Sequence, residues 1–350
     1  MRGKRFVALL AAGVVAMVLA GCGGGGGTKP QAGGSQAQTQ PSGQTQPQAQ
    51  AKASYPDKPI EFVVPYAAGG GSDVLARNIV QSLQDTKALS QPVVVVNKPG
   101  SSGQVGGAYV AQKKGDAYTI MTFISGQVSA PLTVQGGIKA STFTPLANLA
   151  MDEFLLVVTK DSPFKTVQDF INKARSGEKA VSIGGTATGA EDHMLTGIVE
   201  KAAGVKLNYI PFESGGEVMT NLLGKQVDVA WANPNEAMSQ IEAGLVRPIA
   251  VAAPERMPMF PDVPTFKESG LDVVFRQFRG VVGPPDMPAD AVKFWADTLK
   301  KVTEDPGWQE RYAKKNGLTI RYLGPEDFKK LIAEEEPRYA QILKDIGVIK

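Results

Sequence analysis

The chain has 350 residues, enough for a leader followed by two ordinary domains or one two-lobed unit. It carries 37 basic and 34 acidic residues, but Arg2, Lys4, Arg5, Lys29 and Lys52 all precede residue 55. Residues 55–350 therefore hold 32 bases against 34 acids, a net charge of −2, which argues against a basic nucleic-acid surface and requires any anion site to be local. One cysteine, Cys22, and one histidine, His193, exclude an internal disulfide, a cysteine-cluster metal site and a two-histidine zinc motif.

The amino terminus reads as a processing signal. Arg2, Lys4 and Arg5 precede an apolar run from Phe6 to Leu19, then Ala20, Gly21 and Cys22. That is the layout of a secretory signal peptide, and the run is shorter than the ~18–20 residues of a spanning helix. Leu19-Ala20-Gly21-Cys22 resembles a bacterial lipobox, whose cysteine is lipidated and becomes the first residue of the mature chain. Residues 23–54 contain no aromatic or branched aliphatic side chain. With nothing to bury, they read as a flexible tether of roughly 30 Å mean span.

From Tyr55 onward, short apolar runs alternate with helical patterns. Ile60–Val64, Val93–Val96, Tyr118–Ile124 and Phe154–Val158 read as buried strands, as do Ala180–Ile183, Leu207–Ile210, Val227–Trp231 and Ile249–Ala252. Val74–Leu83, Val167–Ala174, Asp192–Ala203, Glu217–Leu223 and Glu236–Ala243 have helical spacing. Such alternation predicts parallel α/β sheets. From Ala289 the pattern is mainly helical, ending in a charged amphipathic segment, Pro325–Leu343. The expected organisation is a signal peptide at 1–21, a lipidated Cys22 and tether at 22–54, a first part of lobe one at 55–153 and lobe two at 154–253. Residues 254–350 then return to lobe one and end in the C-terminal helices.

Ligands in open α/β sheets bind where strands end and helices begin. The first such loop is Pro65-Tyr66-Ala67-Ala68-Gly69-Gly70-Gly71-Ser72-Asp73. Its glycines let the backbone approach a ligand, Ser72 or Asp73 can cap the helix, and the free N–H groups at a helix start suit an anion. A tight turn without a ligand explains the same composition. The loop lacks both a Walker Gly-Lys-Ser/Thr ending and dinucleotide-fingerprint spacing. Gly184-Gly185-Thr186-Ala187-Thr188-Gly189 and Pro211-Phe212-Glu213-Ser214-Gly215-Gly216 repeat the placement, with Thr186 and Thr188 as hydroxyl donors. His193 opens a helix and has a structural reading as well as a functional one; without a Gly-x-Ser-x-Gly elbow, a hydrolase built on it is disfavoured. Arg276 and Arg279 precede Val281-Val282-Gly283-Pro284. Either can grip a carboxylate in bidentate fashion, or serve as a surface or interdomain salt bridge.

Several ordered motifs resemble one family. They are Tyr55-Pro56-Asp57-Lys58-Pro59-Ile60, the Val64-Pro65-Tyr66 run into Gly69-Gly70-Gly71-Ser72-Asp73, Val96-Asn97-Lys98-Pro99-Gly100, and Gly115-Asp116-Ala117-Tyr118-Thr119. Leu222-Leu223-Gly224-Lys225-Gln226-Val227-Asp228 and Phe260-Pro261-Asp262-Val263-Pro264-Thr265 follow in order. The chain is similar over 55–350 to the substrate-binding receptors of tripartite tricarboxylate transporters, the TctC or Bug-type proteins. The resemblance implies an α/β, two-lobed periplasmic-binding (Venus flytrap) fold, type II-like, with the ligand between the lobes. It also implies that two loops hold a ligand carboxylate, partly through water. On this chain those are Tyr66 to Asp73, including Ala67, Gly70 and Gly71, and Thr186, Thr188 and Gly189 with the helix start at His193. Gly215, Gly216, Asn233 and Ser125 match cleft-facing positions, and the Arg279-Gly280 pair looks like the tricarboxylate-binding branch. Ala67 and Ala68 replace the family's prolines, and Ala190 replaces a common serine.

The expected function is capture of a small organic anion, citrate-like or another di- or tricarboxylate, for integral membrane transporter subunits. The lipid on Cys22 is the expected bilayer contact, and the expected location is extracytoplasmic. No catalytic residue, cofactor, metal or nucleic-acid partner is expected. A sensory receptor and an extracytoplasmic hydrolase are the rival readings.

Overall fold

The structure, a computed structural model, describes residues 55–350. The expected signal peptide, Cys22 and the tether fall outside the described residues. The strands are β1 (Ile60–Val64), β2 (Val93–Asn97), β3 (Thr119–Ile124), β4 (Thr144–Glu153), β5 (Leu155–Thr159), β6 (Ser182–Thr186), β7 (Asn208–Phe212), β8 (Val229–Ala232), β9 (Val246–Val251), β10 (Arg276–Gly283) and β11 (Thr319–Leu323). They form a six-stranded sheet in the order β11-β4-β10-β3-β1-β2 and a five-stranded sheet in the order β7-β6-β8-β5-β9. The helices are α1 (Gly71–Asp85), α2 (Gln104–Ala111), α3 (Gly126–Thr133), α4 (Val167–Arg175), α5 (Glu191–Ala203), α6 (Gly215–Leu223), α7 (Pro234–Glu242), α8 (Ala289–Glu304), α9 (Pro306–Trp308) and α10 (Pro325–Asp345).

The expectation of parallel sheets is corrected in part. β1 runs parallel to β2 and β3, and β6 runs parallel to β7 and β8. β10 and β4, by contrast, are antiparallel to their neighbours, and so is β5 to β8 and β9. The reason is connectivity. The chain leaves the first sheet through β4 into β5 and re-enters it through β10, so β5 and β10 arrive from the other lobe rather than over a helical crossover, and β10 runs against both β3 and β4, between which it is inserted. The two passages touch: Ala252 N–H donates to the Phe154 carbonyl at 2.8 Å, and Phe275 N–H donates to the Ala252 carbonyl at 2.9 Å. The Phe154 and Phe275 rings meet edge-on there at 5.7 Å. The C-terminal region also contains a strand, β11, among its helices.

Burial explains why each element forms. α1 turns Leu75, Ala76, Ile79 and Leu83 inward at helical spacing. β3 is buried along its whole length because it lies between β1 and β10 with both faces covered. One apolar cluster runs through both sheets, from Phe123 and Phe278 in the first to Val158 and Trp231 in the second, with Phe170 of α4 packed among them.

α10 belongs to that cluster and reaches both lobes. Its Phe328 packs against the first sheet at Gly280, where an added Cβ would lie 2.4 Å from the ring. Burying such a ring contributes roughly 3 kcal/mol. Just beyond its other end, Ile346 meets Gly197 of α5, and Asp345 pairs with Lys201 at 2.8 Å. In a helix interior, Gly→Ala normally gains about 1 kcal/mol. Here the new Cβ would lie 2.1 Å from Ile346 Cγ2. Gly197→Ala is expected to lose about 1 kcal/mol or more, because overpacking reverses the usual sign. A urea melt showing a gain would contradict this packing.

Candidate functional site

The first loop turns on Gly69, whose φ of +82° is a left-handed conformation that glycine adopts without strain. Gly70 is the N-cap of α1 and makes no side-chain capping bond, so the expected cap by Ser72 or Asp73 is not formed. Asp73 has another task. It is 3% exposed and accepts hydrogen bonds from Gly69 N–H at 2.9 Å, Arg77 Nε at 2.8 Å and Asn97 Nδ2 at 3.0 Å. Burial by itself would raise its pKa, but the bonds from Arg77, Gly69 and Asn97 outweigh that and hold it low. Asp73 thus braces the loop and leaves the backbone from Ala67 to Gly71 exposed at the start of α1.

β10 brings Arg279 to that exposed start. Its backbone N–H donates to Asn148 Oδ1 at 3.1 Å, and its Nη2 pairs with the buried Asp152 on the neighbouring β4. The guanidinium lies against Gly71, where an added Cβ would sit 2.9 Å from Nη1. Its buried Nε has no hydrogen-bond partner among the described residues. Burial acts to lower the Arg279 pKa, yet Asp152 more than compensates and holds the side chain cationic. The second Asp152 oxygen accepts from Asn233 Nδ2 at 3.0 Å, and the same nitrogen donates to the Glu153 carbonyl at 3.0 Å. Asn233 caps α7, so this amide joins the second sheet to the first. Arg276 pairs with Glu153 at 3.0 Å, while burial pushes the Glu153 carboxyl up to about 7.

In the second loop, Thr186 N–H and Oγ1 donate to Asp192 Oδ2 at 2.6 and 2.9 Å. Burial pushes Asp192 up to about 7. Thr188 is exposed. Gly189 takes φ +82° in a tight place, with Val348 at 3.2 Å and Thr133 of α3 at 3.7 Å from an added Cβ. His193 Nδ1 accepts from Gly189 N–H at 3.1 Å, and its ring stacks on Tyr209 at 4.3 Å. Burial lowers its pKa. The ring borders a cavity of about 290 Å³ with Lys179, Glu200, Lys206 and Asp345, and no contact links it to Arg279 among the described residues.

Four further sequence candidates lie on or beside the same strands and helix starts. Ser125 is buried, and its Oγ accepts from Phe278 N–H at 3.0 Å, fastening α3 to β10. Gly215 is buried against Glu236, whose carboxylate would lie 2.4 Å from an added Cβ, and Gly216 is exposed. Tyr66 is half-buried, with its hydroxyl over Gly103 and Gly126; burial and then Glu191 raise its pKa.

Glu191 is a central residue that sequence reasoning missed. It opens α5 in the second lobe, and its Oε1 accepts from Gln277 Nε2 of β10 at 3.0 Å. Oε1 also lies 3.3 Å from the Cβ position of Gly126, at the start of α3. Asp152, Asn148 and Gln277 were missed as well. The one local signal was the pair Glu191-Asp192 beside His193, two acids in the first turn of a helix. The arrangement sets Arg279 against the start of α1, with Asp152 paired to it, and Glu191 against the start of α3.

These features define a two-lobed α/β binding protein with its polar residues gathered where the lobes meet. Residues 75–348 match the family described as tripartite tricarboxylate transporter family receptor, TctC. The chain belongs to that family and is one of its extracytoplasmic solute-binding receptors. BugT of Bordetella pertussis is 29% identical over 84% of this chain and 91% of its own length. A TctC solute-binding protein from Polaromonas is 29% identical, covering 83% of this chain and 99% of its own, with a TM-score of 0.73. R. palustris Rpa4515, solved with adipate, is 26% identical, covering 84% and 98%, with a TM-score of 0.73.

Proposed function

We propose that this receptor captures a small organic carboxylate between its lobes and delivers it to the membrane subunits of a tripartite transporter. The observation that carries the reading is Arg279, a buried cation with an unpartnered Nε, laid against Gly71 at the exposed start of α1. A carboxylate there receives charge-assisted bonds from the guanidinium and backbone N–H groups from the helix start. Asn233 and Gln277 reach across from one lobe to the other in the same region, so a ligand that favours the closed arrangement shifts the protein toward it. The likeness to Rpa4515 with adipate supports a carboxylate ligand, citrate-like and other di- and tricarboxylates being the first class to test. The layout ending in Cys22 supports a lipid anchor as the means of holding the receptor at a membrane.

The test is a thermal-shift screen of the protein against carboxylates, sugars and amines. A ligand at a hundred times its dissociation constant adds roughly 2.7 kcal/mol to folding stability. Selective stabilisation by carboxylates is the expected result. Stabilisation by sugars or amines alone would remove the carboxylate assignment.

A further inference from the structure

We propose that Glu191 is a specificity-determining residue, which keeps ligand carboxylates away from the α3 end of the cleft and favours a hydrogen-bond donor there. The inference rests on the carboxylate reading above. Glu191 projects from the second lobe to the first turn of α3, where a ligand carboxylate would otherwise find a favourable helix start. Gln277 holds Oε1 in place at 3.0 Å, and Oε2 has no hydrogen-bond partner among the described residues. The two ends of the cleft therefore differ in chemistry. At α1 the protein supplies a cation and backbone donors. At α3 it supplies an acceptor that bears a charge of the ligand's own sign.

A second carboxylate directed at Glu191 meets like-charge repulsion in a partly desolvated place, which discriminates against it. A hydroxyl or ammonium group in the same position donates to Oε2 instead. Hydrogen bonds to a charged partner are the stronger kind, so the preference is expected to be roughly tenfold to a hundredfold. Tyr66, whose hydroxyl lies 3.3 Å from the same Gly126 Cβ position, closes the other side of this end. The class of ligand is a carboxylate with a donor group on its short carbon skeleton.

Succinate, malate and aspartate share one skeleton and differ in a hydrogen, a hydroxyl and an ammonium, so they serve as probes. Titration calorimetry on the wild-type protein is expected to rank malate or aspartate at least tenfold above succinate. Glu191→Gln keeps an oxygen for Gln277 and removes the charge. It should raise succinate affinity and shrink the ratio, and Glu191→Ala should abolish the ratio. A purely structural role for Glu191 would weaken all three ligands alike and leave the ratio intact, which overturns the proposal. Wild-type protein that ranks succinate equal or first overturns it too, as does binding of other carboxylates with none of these three. Failure of every carboxylate in the wider screen would instead sink the carboxylate reading itself.

Discussion

Arg279→Met is expected to reduce carboxylate affinity by at least about a hundredfold and to destabilise the fold by about 3–5 kcal/mol. Both effects come from one guanidinium. On the ligand side, the substitution removes the cation at the exposed start of α1, whose bonds to a carboxylate are charge-assisted. On the protein side, it strands Asp152, which is fully buried and pairs with Arg279. The double variant Arg279→Met with Asp152→Asn separates the two. The amide oxygen that replaces the carboxylate would still accept from Asn233, so most of the stability should return while ligand affinity stays lost. Calorimetry and urea unfolding on the three proteins give the test. Wild-type affinity in the double variant would show that Arg279 is only a structural ion pair.

Stability is expected to fall by several kcal/mol as pH rises from about 4 to about 7. Burial pushes the Asp192 and Glu153 carboxyls up to about 7, so the folded chain keeps both protons over a range where the unfolded chain has lost them. The folded state then binds more protons than the unfolded one, and the unfolding free energy declines with pH until both carboxyls have ionised. Each unit of separation is worth about 1.4 kcal/mol. Asp73 acts with the opposite sign but lower down. Its pKa is held below the usual carboxylate range, so its contribution is lost as pH falls below about 4. The two effects have opposite signs and act in separate pH ranges. Asp192→Asn copies the protonated carboxyl, can still accept from Thr186, and should flatten much of the slope. A curve that rises between pH 4 and 7 would show that these carboxyls ionise normally in the fold.

Much of the architecture was legible in the sequence because its strands are apolar and its helices periodic. β1, β2, β3 and most strands of the second sheet stand out as short runs of branched residues bounded by turn residues. β4 does not. Its sequence, TPLANLAMDE, places Asn148, Asp152 and Glu153 in the middle of the protein, where a local reading sees a polar stretch. Their hydrogen-bond partners are Arg321, Arg279, Asn233 and Arg276, 80 to 173 positions away. β10 hid for the same reason, since its arginines and glutamine are internal. At the candidate site, Arg279 and the first glycine loop stood out in the sequence by residue type and placement. Glu191 was not, because its importance comes from a bond to a strand 86 positions away rather than from its neighbours.

The order of strands in the first sheet has a consequence for how the chain matures. β4 lies between β10 and β11, so both of its hydrogen-bonding neighbours are made long after it. Its last residue, Glu153, meets Arg276 only after 123 further positions have been added. A nascent chain emerging amino end first must hold β4 with both edges bare until the second lobe has been made. Pairings that distant close slowly. Late zipping of this kind leaves the first-made sheet incomplete until the last-made strand arrives. It also makes loss of the last residues a defect of the first-made sheet.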